Sequence, residues 1–255
     1  MNKDIIAQSF GKAASSYDKD APVQKWTAKL LRDYVLGLDI KTNSKCLEIG
    51  CGTGFLTEEL MTALPNAQWT VTDLSKDMLD VCEARIGSSP TYQVMDGENP
   101  NTAGQYDLIV SSLAVQWFHD LEGGLLKLVN LLSPTGRLVF TTLGENTFSQ
   151  WRENLQRLNK PVGIHDYPTA ATVRKFSFEP YIIDVQETLY LQHYDSALHF
   201  LRSLKSIGAH EPNSTYVSMT TCEMRKVLRS LEDNEKGCDM SYEILLCDVH
   251  QGALK

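Results

Sequence analysis

Gly50, Gly52 and Gly54, in "LEIGCGTGFL", are the strongest chemical signal in the chain. Set between a short apolar run and a helix-like segment, they permit a tight turn and let a ligand approach the backbone and a helix N-terminus closely. Their Gly-x-Gly-x-Gly spacing differs from the Gly-x-Gly-x-x-Gly of dinucleotide-binding folds. Asp73 closes "WTVTD" about twenty residues later, where an acid at the tip of a second strand binds ribose hydroxyls. Asp96, in "VMDGE", ends a third run and faces the next part of a nucleoside. Glu48 lies just inside the first run, near the place of a cationic amino acid group. Loop and acids share the carboxyl ends of strands, where ligands bind in open α/β sheets. A second cluster lies far downstream. In "RSLKSIGA", Arg202 and Lys205 stand three apart and share a face if the stretch is helical. Spacing leaves two readings open: an anion-binding pair, or solvated heads flanking an apolar stripe of Leu198, Leu201 and Leu204.

These residues need elements to hold them. "KCLEIG", "WTVTDL", "TYQVMD", "YDLIVSS" and "GRLVFTTL" have strand length, and four helix-length segments separate them. Such alternation indicates parallel strands joined by crossover helices. Before them, Trp26, Leu30, Leu31 and Tyr34 recur at helical spacing, in a helix ending near Gly37. After Thr142, "FSQWRENLQRL", "TAATVRKFSF", "DSALHFLRSLKSIGA" and "TCEMRKVLRSLEDNE" read as helices. "YIIDVQETLYLQHY" and "SYEILLCDVHQGAL" read as strands that finish the sheet, with the helices over its top edge. The expected organisation is one domain over 1–255. Within it lie an N-terminal helical cap (1–37), a cofactor-binding core (38–143), lid insertions (144–180 and 192–238) and final strands (181–191 and 241–250).

Composition narrows the classes. The 255 residues are 42% hydrophobic with a net charge of −8, ample for a large core and contrary to general nucleic-acid binding. No apolar run approaches the roughly 20 residues of a membrane span, and the N-terminus has no signal-peptide core, so a soluble cytoplasmic protein is expected. The six cysteines lack a Cys-x-x-Cys pair and are expected as reduced thiols. The six histidines show no ligand spacing, so no metal site is expected.

The glycine-loop segment, with its preceding acid, resembles the class I S-adenosylmethionine-dependent methyltransferases. That resemblance implies a Rossmann-like α/β fold: a mostly parallel seven-stranded sheet with helices on both faces, an N-terminal helical cap and an inserted helical lid. It places the methionine part of the cofactor at Gly50 to Gly54, the ribose on Asp73 and the adenine near Leu74, Asp96 and Gly97. Glu48, Cys51, Met78 and Ser111 complete the implied cofactor-binding set. The fourth strand ends in "SSLAVQW" and lacks the Asn/Asp-Pro-Pro-aromatic motif of base-modifying relatives, and no basic, aromatic-interleaved stretch suggests RNA.

Four further stretches, "SFGKAASSYDKDAPVQ", "SSLAVQWFHDL", "LVFTTL" and "RSLKSIGA", resemble in order the malonyl-acyl-carrier-protein O-methyltransferases of biotin synthesis. Thr53 departs from the proline common in that family. The likeness implies a malonyl thioester on acyl carrier protein as substrate, its free carboxylate taking the methyl group without a general base. It makes Arg202 and Lys205 the carboxylate grip and brings Tyr17 and Gln24 over the cofactor in the cap. Gln116 and Trp117 then lie beside the methyl group, with Gln116 the better candidate. The lid cations Arg152, Arg174, Lys175, Arg225, Lys226 and Arg229 become the patch that receives an acidic carrier protein. Two other readings stay open: a methyltransferase for a small free carboxylic acid, and a sensor that binds S-adenosylmethionine without transferring anything.

Overall fold

The computed structural model describes residues 2–209, 216–232 and 237–252, so 210–215 and 233–236 of the expected lid lie outside the described residues. The chain opens with α1 (Lys3–Ala13) and α2 (Pro22–Leu36). The Asn2 side chain accepts the Asp4 and Ile5 N–H groups, satisfying orphan donors of the first turn of α1. Pro22 opens α2, where its missing N–H costs nothing, and Gly37 closes it by donating to the Asp33 and Tyr34 carbonyls. Then follow β1 (Lys45–Ile49), α3 (Phe55–Ala63), β2 (Gln68–Asp73), α4 (Lys76–Ile86), β3 (Thr91–Val94), β4 (Tyr106–Ser112), α5 (Leu121–Val129) and β5 (Leu132–Leu143). The remainder is α6 (Ser149–Arg157), α7 (Ala170–Val173), β6 (Tyr181–Tyr194), α8 (Ala197–Ser206), α9 (Thr221–Leu231) and β7 (Cys238–Gln251).

The strands form one seven-stranded sheet in the order β3-β2-β1-β4-β5-β7-β6. β1 to β5 run parallel, while β7 is antiparallel to both of its neighbours. The expected doubly covered sheet is therefore present. Three helices, not four, separate the first five strands: residues 95–105, rich in Gly, Pro and Asn, join β3 to β4 without one. The last two strands are also longer than expected, because β6 and β7 pair along their whole length from Tyr181↔Gln251 to Tyr194↔Cys238.

Two apolar layers sandwich the sheet. On one face Ile49, Ile109 and Phe140 meet Leu125 and Leu128 of α5 and Val173 of α7. On the other, Val71, Leu108 and Val139 meet Leu31 of α2, Leu60 of α3 and Leu79 of α4. So α2 and α7 belong to the core layers, and the expected cap and lid are smaller than drawn: the cap is α1 with the 3-10 turn Tyr17–Lys19. The lid is α6, α8 and α9, packed around Phe148, Trp151, Phe200 and Tyr242 over the carboxyl ends of the parallel strands. Among the described residues no helix is long and apolar enough to cross a membrane.

Candidate active site

The loop after β1 is shaped by backbone that side chains resist. Gly50 and Gly52 have φ of 69° and 55°, the left-handed region that favours glycine. A Cβ on Gly50 would collide with that of Ala114, whereas nothing lies within 4 Å in front of Gly52, which leaves its backbone open to a ligand. Asp73, at the tip of β2, braces this loop: one oxygen accepts the Gly52 N–H at 2.8 Å and the other the Ser75 N–H at 2.8 Å. Burial pushes its carboxyl up against the pull of those backbone donors, and lone pairs remain for further donors. Glu48 is 1% exposed and accepts the Thr57 hydroxyl at 2.7 Å; burial, ahead of its anionic neighbours, pushes it up to about 8. Burial likewise holds the Cys51 thiol well above its usual range, so it is no nucleophile.

A cavity of about 950 Å³ opens above this loop. Tyr17, Glu48, Gly50, Cys51, Gly52, Asp73, Leu74, Met78, Asp96 and Gly97 all line it, a set drawn from cap, loop and three strand ends. Two residues expected there do not. Gly54 starts α3 with its α-carbon against Cys82, and the Ser111 hydroxyl donates to the Ile49 carbonyl within the sheet, leaving Ser112 on the cavity wall. Alternation along a strand explains the swap.

α1 roofs the cavity with Ile6 and Phe10, and an ion-pair latch holds it there. Lys3 Nζ lies 2.7 Å from Asp96 and 2.5 Å from Glu98, whose carboxylate also accepts the His119 and Asp120 N–H groups. Burial raises both carboxyls, but the hydrogen bonds and charge of Lys3 outweigh it and leave both below their ordinary values. At the other end of the cap, Asp18 pairs with Arg85 and accepts the Thr53 hydroxyl at 2.8 Å. Thr53 thus ties the loop to the cap, a bond proline could not make.

Two more cavities continue from the first. A middle one of about 500 Å³ shares Phe10, Tyr17, Gln24, Leu113 and Trp117 with it and adds Gln116, Tyr167 and Tyr242. Among the described residues no Asp, Glu, Lys, Arg or His lines this chamber. Burial pushes the Tyr17 phenol up, with Asp73 and Asp18 adding to the effect, and Tyr167 up to about 12, so both are neutral donors. Gln116 is fixed by donating to the Leu113 carbonyl at 2.6 Å. The amide oxygens of Gln24 and Gln116 are buried with no partner among the described residues, an unpaired state that costs about 1–3 kcal/mol each until a ligand completes it. An outer cavity of about 810 Å³ shares Phe148, Tyr167 and Leu204 with the middle one and runs under the lid between Trp151, Phe200 and Met224.

Arg202 and Lys205 are not in this series. α8 turns Phe200, Leu204 and Ile207 inward and leaves Leu198 43% exposed, so both cations fall on the solvent side, in a groove against α1. The structure thus places the expected carboxylate grip outside these cavities: Phe200, Leu201 and Leu204 pack into the lid cluster, and the two cations flank that face. The expected carrier patch divides as well. Arg152 donates to the Thr147 and His165 carbonyls, and Arg174 pairs with Glu187 at 2.8 Å, so both serve local structure. Lys175, Arg225, Lys226 and Arg229 are exposed. Lys3, Phe10, Tyr167 and Tyr242 also line these cavities and went unmarked in the sequence; only their three-dimensional convergence brings them there. Among the described residues no group of three or more His, Cys, Asp and Glu is arranged for a metal ion.

Against known proteins, a family model described as a methyltransferase domain matches residues 47–138. The "Malonyl-[acyl-carrier protein] O-methyltransferase" of Magnetococcus marinus is 35% identical over 243 residues, 94% of this chain and 90% of that one. The "Biotin biosynthesis bifunctional protein BioCD" of Bordetella avium is 38% identical over 239 residues, 93% of this chain and half of that longer protein. Among solved structures, a methyltransferase of Bacillus halodurans aligns with a TM-score of 0.64 at 12% identity, covering 88% of this chain and 99% of that one. The plantazolicin methyltransferase BpumL, in complex with a pentazolic desmethylPZN analog and SAH, aligns at 0.57 and 17% identity, covering 98% and 96%. At such identities the likeness shows the fold alone.

Proposed function

The chain belongs to the malonyl-[acyl-carrier protein] O-methyltransferases, and from that premise we propose how its cavities divide the work. The inner cavity holds S-adenosylmethionine, and the middle one receives the free carboxylate of a malonyl thioester carried on acyl carrier protein. The product is the malonyl methyl ester, an early intermediate of biotin synthesis.

The residues present fit the cofactor: an open approach at Gly52, the buried Glu48 at one end and the half-buried Asp96 at the other, and aromatic walls from Phe10 and Tyr17. In this reading Glu48 faces the amino group, Asp73 the ribose, and Leu74, Asp96 and Gly97 the adenine, with Met78 beneath. When bound, S-adenosylmethionine supplies a methyl group on cationic sulfur, and its transfer to a carboxylate turns two opposite charges into two neutral products.

The observation that carries the reading is that the described residues lining the middle chamber are uncharged. A fixed cation there would stabilise the carboxylate before reaction more than in the transition state, where its charge is already fading. Walls of tyrosine, glutamine and apolar side chains exclude water and leave the anion reactive. The Tyr17 hydroxyl and the amide N–H groups of Gln24 and Gln116 orient it by donating neutral hydrogen bonds. A carboxylate is deprotonated at neutral pH, so no residue need remove a proton.

The test is the intact mass of malonyl-acyl carrier protein after incubation with the protein and S-adenosylmethionine. Gain of one methyl group is expected. Methylation of small free acids, with none on the carrier-borne group, would replace this reading with the free-acid one.

A further inference from the structure

Outside the roofed cavities α1 and α8 meet along a seam. Gly208, just beyond α8, has φ of 76°, and a Cβ there would stand 2.8 Å from the Ser9 carbonyl oxygen, so the two segments touch backbone to backbone. On the solvent side the seam opens into a groove of about 1150 Å³. Lys12 of α1 and Arg202 and Lys205 of α8 line it, together with serines, Gln8 and the 45% exposed Ile5, and among the described residues no acidic side chain does. The three cations are exposed and have no ion-pair partner among the described residues. In a chain of net charge −8, like charges gathered from two elements into one concavity raise each other's energy until an anion arrives.

The wall between this groove and the reaction chamber is one residue thick at three places. Ser9, Ser16 and Ser206 face the groove, while their next neighbours Phe10, Tyr17 and Ile207 face the middle cavity. Whatever binds in the groove therefore presses on the residues that shape the chamber. The exposed cations of α9 have no such position: Arg225, Lys226 and Arg229 line none of the four cavities described.

We propose that the α1–α8 seam is the docking surface for an acidic face of the carrier protein, with Lys12, Arg202 and Lys205 binding its carboxylates around an apolar contact at Ile5. The inference rests on the carrier-borne substrate proposed above. It moves the docking surface from the lid helix to the junction of cap and lid. Anions bound across the seam offset the repulsion between the cap cation and the two lid cations, so docking holds the chamber shut while the malonyl group is inside.

The test compares kcat/KM for malonyl-acyl carrier protein and for malonyl-pantetheine, which lacks both protein and phosphate. In the charge-reversed variant Lys12→Glu/Arg202→Glu/Lys205→Glu, the ratio of the two is expected to fall at least about tenfold, mostly through KM for the carrier. The neutral variant Lys12→Gln/Arg202→Gln/Lys205→Gln is expected to give a smaller fall of the same sign. Calorimetric binding of S-adenosylmethionine verifies that each variant is folded. Raising salt should weaken the wild-type ratio, leave the neutral variant nearly flat and lift the ratio of the reversed variant, whose repulsion it screens. An unchanged ratio in the seam variants overturns the inference. So does a fall confined to Arg225→Glu/Lys226→Glu/Arg229→Glu, which would return docking to α9. Equal losses on both substrates also overturn it, since the cations would then act on the chamber. Wild type that methylates malonyl-pantetheine but not the carrier-borne group removes the functional reading as well.

Discussion

Among the described residues Glu48 has one hydroxyl partner and no cation beside it where it meets the inner cavity, and burial lifts it to about 8. An arriving amino group favours its ionised form, so cofactor binding near pH 7 must expel a proton. Calorimetry in buffers of different ionisation heat should find close to one proton released, and affinity should weaken about tenfold per unit as pH falls below 8. Glu48→Gln should abolish both; absence of proton release in the wild type would remove Glu48 from the amino group. The sign for the free protein is opposite. A carboxyl raised from 4.5 to about 8 makes it lose stability as pH climbs between those values. Gln116→Lys would introduce a cation beside the reacting carboxylate. Its kcat should drop at least about tenfold while KM for the carrier substrate stays level or falls, the pattern of a ground state stabilised more than a transition state. At this scale the loop and its acids were legible because strand tips and glycine spacing are local facts. Where the Arg202 head points was not legible, because that depends on the phase of α8. Leu198, Leu201 and Leu204 make a credible stripe, but the lid cluster takes Leu201 and Leu204 together with Phe200 and leaves Leu198 in solvent.

α1 is an element held from outside itself. Its roof position depends on Lys3 at one end and on the Gly208 contact near the other. Asp96 and Glu98 sit below their ordinary values of 3.8 and 4.5, so their share of the latch is present above those values and lost as pH falls through the lowered ones. Lys3 sits above 10.5, so its share is complete below that and lost as pH rises further. The cap should therefore stay latched across roughly pH 4.5 to 10.5. Lys3→Ala should speed dissociation of S-adenosylmethionine by about tenfold and raise hydrogen exchange in 3–13, with little change in exchange of the sheet. Equal exchange in the two proteins would mean that the latch is ornamental. No periodicity announces such a bond, because its partners are 93 residues apart in sequence. The same blindness joined α2 to the cap: its helix was readable, but the layer that its Leu31 completes was not.

Across the whole molecule, alternation of strands and helices was enough to read the sheet, since buried parallel strands leave compact apolar runs. The missing helix between β3 and β4 escaped because only length had argued for it. The third apolar cluster, between lid and sheet edge, should behave as a separable unit. Phe200→Ala, from a site 1% exposed, should cost about 3–5 kcal/mol of stability in denaturant unfolding. It should impair methyl transfer more than cofactor binding, because Phe200 lines the outer cavity and not the inner one. The chamber without charge has a further consequence. With no cation among its described residues, it holds any carboxylate weakly, and it must reject free malonate, which would bring a second charge to desolvate. What makes weak binding sufficient is the tether. A carboxylate delivered on a short flexible arm meets its site at an effective concentration in the millimolar range, however dilute the carrier. The carrier then supplies by proximity what the pocket gives up in affinity, and selection among diacids becomes a matter of reach.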